Sequence, residues 1–313
     1  MTKKQTVLCG FSINPELGLG FAPKTNNKHE VKNPEITLSG SSINIAKCLQ
    51  NMGHKAHALI LTGGKNGSIW NQMISDALIK LLHNSGIQNT HFNVLSEPSF
   101  AIVPTDLSGK RETELFGLRG KIDQDLIKEV YSKIEESVEG FEWVTLSGVR
   151  LEEVELAKLV LRKGEVGKRL LIPKPELITS PNFKDVLQYV DLLIMNKAEF
   201  ATYPDGDIGK LHEYGPKIVV VTDSANGGIY SNGNGVLSYQ PYKVETKNNT
   251  TVGCGDWFAG AVNAWCLEHE SDYSLDSLSV KNAISFAAQV SAKKINHPGG
   301  SNGPQREDII KSD

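Results

Sequence analysis

The sequence predicts an α/β protein, an open and mostly parallel sheet with helices on both faces. Three observations predict it. Short runs rich in Val, Ile and Leu recur along the 313 residues, segments of helical periodicity lie between them, and the runs lack the polar alternation of a one-sided sheet. The runs are 6–13, 55–63, 141–148, 168–173, 191–196 and 217–223, bounded by Gly, Asp, Asn or Pro. Ligands of such sheets sit beyond the carboxyl ends of the strands.

Helices are predicted over about 41–53, 69–85, 123–138, 152–164 and 181–189, and two longer ones over roughly 254–269 and 279–296. Within 152–164, Val154, Ala157, Val160 and Leu161 form one stripe. Phe258, Ala261, Val262, Trp265 and Cys266 are spaced to give the 254–269 helix one apolar face against the sheet. Segments 14–38 and about 98–120 break the rhythm, being polar, partly alternating and interrupted by the turn "DLSGK". They read as antiparallel strands set apart from the main sheet. Two readings stay open, an extension of the sheet edge or a lid whose closure excludes water. Without a repeat or a long linker, the expectation is one domain over 1–313 with lid segments 14–38 and 98–120.

Composition narrows the function classes. With 39% hydrophobic residues the chain can bury a core without staples. A formal charge of −3 with no clustered basic residues argues against a nucleic-acid partner. Cys9, Cys48, Cys254 and Cys266 are far apart and form no C-x-x-C pair, so neither a disulfide framework nor a zinc site is expected. The opening "MTKKQTVLCGFSI" reads as a first strand rather than a signal peptide, and no run reaches the ~20 apolar residues of a membrane helix. A soluble, cytoplasmic protein with no membrane partner is the expectation.

Residues 250–265, "TTVGCGDWFAGAVNAW", carry the most chemical information. Gly253, Cys254 and Gly255 precede a helix, where backbone N–H groups lack helical partners and the dipole is positive. Glycines let an anion approach that backbone, which suits a phosphoryl group. Asp256 beside it would repel phosphate as a ligand but fits a general base taking the proton of an attacking hydroxyl. An alternative stays open, an ordinary helix start whose aspartate complements the dipole. A P-loop is absent, since "TGGKNGS" at 62–68 lacks the spacing, and the first strand does not run into G-x-G-x-x-G.

These motifs together resemble the ribokinase/PfkB family of sugar and nucleoside kinases, over essentially the whole chain. "TTVGCGD" looks like the family's D-T-x-G-A-G-D, with Asp256 on the catalytic base and Gly253, Cys254 and Gly255 on the anion hole. "SGSSINIAKCLQNMGHKAHALILTGG" is similar to its first signature, which implies acceptor contacts from Gly40, Ser41 and Asn44. "MNKAEF" matches N-x-x-E and implies Asn196 and Glu199 near magnesium and the phosphates, Glu199 as the metal-side carboxylate. "VVVTDSANGG" implicates Thr222 and Gly227 along the nucleotide, "HPGGSN" matches a glycine-rich segment near the adenine, and Asn282 is a candidate base contact. The resemblance implies a ribokinase-like three-layer α/β/α fold with a small β-strand lid. It also implies an ATP- and Mg²⁺-dependent phosphotransferase acting on a hydroxyl of a small sugar or sugar phosphate, and a homodimer through the lid. A nucleoside or vitamin kinase, with Phe21, Phe100 and Phe116 clamping a ring, and a non-catalytic ligand sensor are the alternatives.

The sequence departs from the pattern at several places. No aspartate stands at the first strand–lid junction, where Gly18 occurs in "SINPELGLG" and Asn14 is the substitute candidate. Thr250 replaces the aspartate that opens the later signature, which leaves a monovalent cation open. "LIPKPEL" replaces D-P-N-x-R, with Lys174 and Glu176 as altered charges. Lys47 falls at a phosphate-binding Arg position of the sugar-phosphate branch, and Lys110, Arg111, Arg119 and Arg150 read as phosphate binders or surface charges.

Overall fold

The computed structural model describes residues 6–11, 14–18, 35–63, 69–103, 116–118, 120–246, 251–273 and 276–310. The first strands in chain order are β1 (Thr6–Phe11), β2 (Asn14–Gly18), β3 (Glu35–Ser39), β4 (Lys55–Gly63), β5 (Gln88–Leu95), β6 (Phe100–Val103) and β7 (Phe116–Leu118). They are followed by β8 (Trp143–Val149), β9 (Arg169–Pro173), β10 (Leu192–Asn196), β11 (Ile218–Thr222), β12 (Gly228–Ser231) and β13 (Val236–Tyr239). The helices are α1 (Ser41–Asn51), α2 (Ile69–Asn84), α3 (Gln124–Ser137), α4 (Val154–Lys163), α5 (Pro175–Ile178) and α6 (Asn182–Leu187). After them come α7 (Lys197–Phe200), α8 (Ile208–His212), α9 (Cys254–Glu268), α10 (Ser277–Lys294) and α11 (Arg306–Ile310).

The main sheet has the order β13-β12-β11-β10-β9-β8-β1-β4-β5, parallel from β11 to β5, with the β12–β13 hairpin antiparallel at one edge. Alternation along each strand sends successive side chains to opposite faces. Leu192 and Ile194 of β10 join one core with α1, α2, α9 and α10, while Leu193 and Met195 join the other with α3, α4, α6 and α8. The central strands are thus apolar on both faces, which is why they read as unbroken Val, Ile and Leu runs.

The strands that the sequence reading passed over sit at or beside the edges: β5, β12 and β13. β5 carries Gln88, Asn89, His91 and Asn93, because an edge strand meets solvent and dilutes its apolar signal. The α9 expectation needs correction too. Every residue from Trp257 to Leu267 is buried, so α9 is a central helix rather than one with a single apolar face. Gly260 allows the close approach of α1, since a Cβ there would lie 2.7 Å from the Cβ of Cys48.

A second sheet has the order β3-β2-β6-β7. It stands apart from the main sheet, as expected of segments 14–38 and 98–120, yet its pairing is not wholly antiparallel. β2 and β6 run parallel, because they come from two distant parts of the chain rather than from one hairpin. The stretches 19–34 and 104–115, with Phe21, Lys110 and Arg111, lie outside the described residues, as do Arg119, Thr250 and the side chains of Asn14 and Phe116.

Two buried polar networks hold the central strands in register. Arg169 donates from Nε to Asp191 Oδ2 at 2.7 Å and from a terminal nitrogen to Oδ1 at 3.2 Å, a two-pronged pair joining β9 to the start of β10. Asn263 of α9 donates to Thr145 Oγ1 of β8 at 2.8 Å and accepts from the Tyr273 hydroxyl. That tie fixes α9 over β8, two residues from Ser147. Asp191→Ala leaves a buried guanidinium unpaired and is expected to cost about 3–5 kcal/mol, read by urea denaturation.

Candidate active site

The turn before α9 builds the site. Gly253 caps the helix in the left-handed region, φ 77°, a conformation glycine adopts without strain. A Cβ there would stand 2.6 Å from the carbonyl oxygen of Gly300, so the "HPGGSN" loop presses on the turn from behind. Trp257 Nε1 donates to that same carbonyl at 3.0 Å, and Ser291 Oγ of α10 donates to Cys254 O at 2.9 Å. The turn is clamped on its inner side. On its outer side Gly255 is exposed, and a side chain built on it meets open space.

The amides divide accordingly. Cys254 N–H already donates to Thr251 O at 3.2 Å, so its amide is not the open donor that the sequence reading assigned to it. Gly255 and Asp256, at the next two positions, have no backbone acceptor for their N–H groups among the described residues. Such helix-start amides are of the kind that can receive an anion.

Asp256 is half-buried in the first turn of α9. Asn44 Nδ2 donates to its Oδ2 at 2.9 Å and Ser147 Oγ to its Oδ1 at 3.0 Å. Burial raises the carboxyl above the usual aspartate range. Hydrogen bonds from Asn44 and Ser147, the charge of Lys174 and a hydrogen bond from Ser41 pull against that rise. An ordinary helix-capping aspartate would bond to its own helix start. This one is held by α1 and β8, elements distant in sequence. It also stands in the first turn of α9, where its charge complements the helix dipole, so the contacts from α1 and β8 add to that role.

Asn44 was expected to hold hydroxyls of a ligand. It is almost fully buried, its amide nitrogen donating to Asp256 at 2.9 Å and its Oδ1 accepting from Ser39 Oγ at 3.4 Å. It positions the acid. Gly40 caps α1 with φ 105°, and Ser41 begins the helix beside Asp256. Asn14 pairs with Ser39 in β2–β3, which brings that backbone to the start of α1.

Further groups line up along the carboxyl ends of adjacent strands: Ser147 near the end of β8, Lys174 just after β9, Asn196 closing β10 and Thr222 closing β11. Asn196 and Thr222 are register partners. Asn196 and Glu199 form a capping box, Glu199 N–H donating to Asn196 Oδ1 at 2.8 Å and Asn196 N–H to Glu199 Oε2 at 2.8 Å. Burial raises the Glu199 carboxyl, the Asn196 amide and Lys174 oppose it, and the charge of Asp256 adds to it. The two acids are thus near enough for their charges to interact. Among the described residues no three His, Cys, Asp or Glu side chains form a metal cage. Glu199 still offers Oε1, and one carboxylate with water and phosphate oxygens is the donor set magnesium favours.

Other expected site residues lie elsewhere or serve the fold. Asn282 is exposed on α10 and joins none of these hydrogen bonds. Gly227, φ 82°, makes the tight start of the β12 hairpin, where a Cβ would lie 2.1 Å from Tyr239 O. Lys47 donates from Nζ to Ser85 O at 2.6 Å, a bond to the residue that follows α2, and burial lowers its pKa. Arg150 is tied to Glu152, Glu153 and the carbonyl of Gly120. Sequence reasoning missed Ser147 and Ser291, single serines with no motif around them.

The sequence model described as "pfkB family carbohydrate kinase" matches residues 15–307. The chain belongs to the pfkB family of carbohydrate kinases. Members of this family are phosphotransferases acting on an alcohol group. Among solved structures, ribokinase from Giardia lamblia superposes with a TM-score of 0.76 at 16% identity, covering 99% of each chain. Phosphofructokinase-2 from Escherichia coli, in complex with potassium, gives 0.73 at 15% identity over 98% of this chain and 96% of that one. The nucleoside kinase of Methanocaldococcus jannaschii gives 0.68 at 16% identity over 99% and 98%. At these identities the likeness carries the ribokinase-like fold alone. No curated protein matches the sequence. No helix among the described residues is long and apolar enough to cross a membrane.

The two glycines of the pfkB turn are expected to separate in a stability assay. Gly253→Ala forces a side chain into a left-handed position, at about 1–2 kcal/mol before the clash with Gly300 is counted. Gly255→Ala lies within the helix and faces open space, so calorimetry should find its melting temperature unchanged or raised.

Proposed function

We propose that the chain transfers the γ-phosphoryl group of ATP to a hydroxyl of a small sugar or sugar phosphate, with Asp256 as general base. The observation that carries this reading is the half-buried Asp256 carboxylate, gripped by Asn44 and Ser147 at the edge of an open helix-start amide pair. The donors from α1 and β8 favour the charged carboxylate, the form a general base needs, and the open amides beside it suit a phosphoryl group.

In this reading the acceptor lies between α1 and the lid strands, its hydroxyl against Asp256. The Gly255 and Asp256 amides hold the transferring group, and the donors on Asp256 keep its carboxylate aimed and deprotonated. Glu199 would hold magnesium, which when bound neutralises phosphate charge. Thr222 borders the nucleotide at the end of β11. Asp256 takes the hydroxyl proton as the acceptor oxygen bonds to phosphorus and the bridging bond to ADP breaks. Second-sheet closure would keep water from competing as acceptor.

An ADP-release assay over sugars, sugar phosphates and nucleosides tests the reading, with potassium as a variable because Thr250 stands where the motif carries aspartate. Release with a sugar-type acceptor supports it; release with nucleosides alone, or none with any acceptor, contradicts it. Asp256→Asn should keep ATP binding and lose about 10²–10⁴-fold in kcat. Because the folded carboxyl is raised, wild type gives up stability as pH climbs through that pKa. The Asn variant should then match or exceed wild-type melting at pH 8 and lose this advantage in acid. Ser147→Ala removes a donor that favours the carboxylate, so the acid limb of kcat/KM, already above the usual aspartate value of about 3.9, should move further up.

A further inference from the structure

We propose that Lys174 is a catalytic cation, its ammonium hydrogen-bonded to the phosphoryl group in transit, a role that presupposes the kinase reading of the same site. β9 ends at Pro173, and Lys174 follows at once in extended backbone, φ −88° and ψ 156°. Its N–H donates to Val149 O at 3.1 Å, tying it to the end of β8. Pro175 then opens α5, so the chain turns away and leaves the lysine at the strand end.

The side chain lies over Gly148. A Cβ built on Gly148 would stand 3.4 Å from Lys174 Cε and 3.4 Å from Ser41 Oγ. Gly148 follows Ser147, the donor to Asp256, and Ser41 is a further donor to the same carboxyl. On the other flank β10 ends in Asn196 and its partner Glu199. The lysine is thus near both acids, and its charge lowers the pKa of each. Among the described residues its ammonium makes no ion pair and no hydrogen bond, in contrast to Lys197 with Asp223 and Lys168 with Glu142.

A cation in that position has a specific task. Asp256 and Glu199 repel the incoming polyphosphate, and a proton donor near both offsets that repulsion where the charge develops. An ammonium bonded to phosphoryl oxygens is a charge-assisted contact that strengthens as bonding to the acceptor begins. Lys174 gives up no proton: the acceptor's proton goes to Asp256 and the electrons of the broken P–O bond leave with ADP. Lys174 rises from the strand end next to β10 and reaches toward Ser41 at the start of α1, so kcat and the acceptor KM separate a phosphoryl contact from a sugar contact.

Lys174→Met and Lys174→Arg separate the outcomes. Met should lower kcat by about 10²–10³-fold, leave the acceptor KM within about threefold, and shift the acid limb of kcat/KM to higher pH. Arg should restore part of kcat and return the limb. Calorimetry with Mg·ATP should find binding to the Met variant weakened by about tenfold, and AMP binding unchanged. A kcat within threefold of wild type with an unmoved limb overturns the proposal. So does a raised acceptor KM at unchanged kcat. If wild type phosphorylates no acceptor, the kinase reading fails first, and the calorimetry still decides Lys174: equal Mg·ATP affinity in wild type and Met variant overturns its phosphate contact.

Discussion

The site depends on one buried contact, the amide of Asn44 on the carboxylate of Asp256. Burying a carboxylate disfavours its charge, and only donors aimed at it hold the charged form in a useful range. Asn44 and Ser147 supply them from α1 and β8, while α9 supplies the acid itself. Three elements far apart in sequence converge on two oxygen atoms. The packing around them must be accurate, since a hydrogen bond weakens steeply when donor and acceptor drift apart.

The surrounding structure follows from that need. Gly260 lets α1 and α9 approach through Cys48, and the Asn263–Thr145 contact fixes α9 over β8. Gly300 and Ser291 support the turn from behind, which leaves its amides facing outward at Gly255. Parallel strands then place Lys174, Glu199 and Thr222 along the same edge, because neighbouring parallel strands end on the same side. The chemistry belongs to loops and strand ends, and the precision to the helices and sheet beneath them.

Much of this was legible in sequence. The central strands carry continuous apolar runs, and the Gly253–Asp256 turn announces itself through glycine, where only backbone geometry matters. Legibility stopped where tertiary context decides. β5 was missed because an edge strand mixes Asn and His into its pattern, and α9 was misjudged because two flanking helices bury the face that solvent would otherwise meet. Asn44 was found by motif, but its contact with Asp256 was not, since no local pattern says that an amide on α1 will meet an acid 212 residues away. Cys254 likewise reads as an anion donor until its amide is seen bonded to Thr251. Ser147 has no signal beyond its place before Gly148.

A crystal structure with ADP, magnesium, aluminium fluoride and the acceptor found by the ADP-release assay tests the central claim most directly. The account requires the fluoride plane on the Gly255 and Asp256 amides and the acceptor oxygen about 2.6–3.2 Å from an Asp256 carboxylate oxygen. A fluoride bound away from those amides, or an acceptor oxygen nearer some other base, would contradict it.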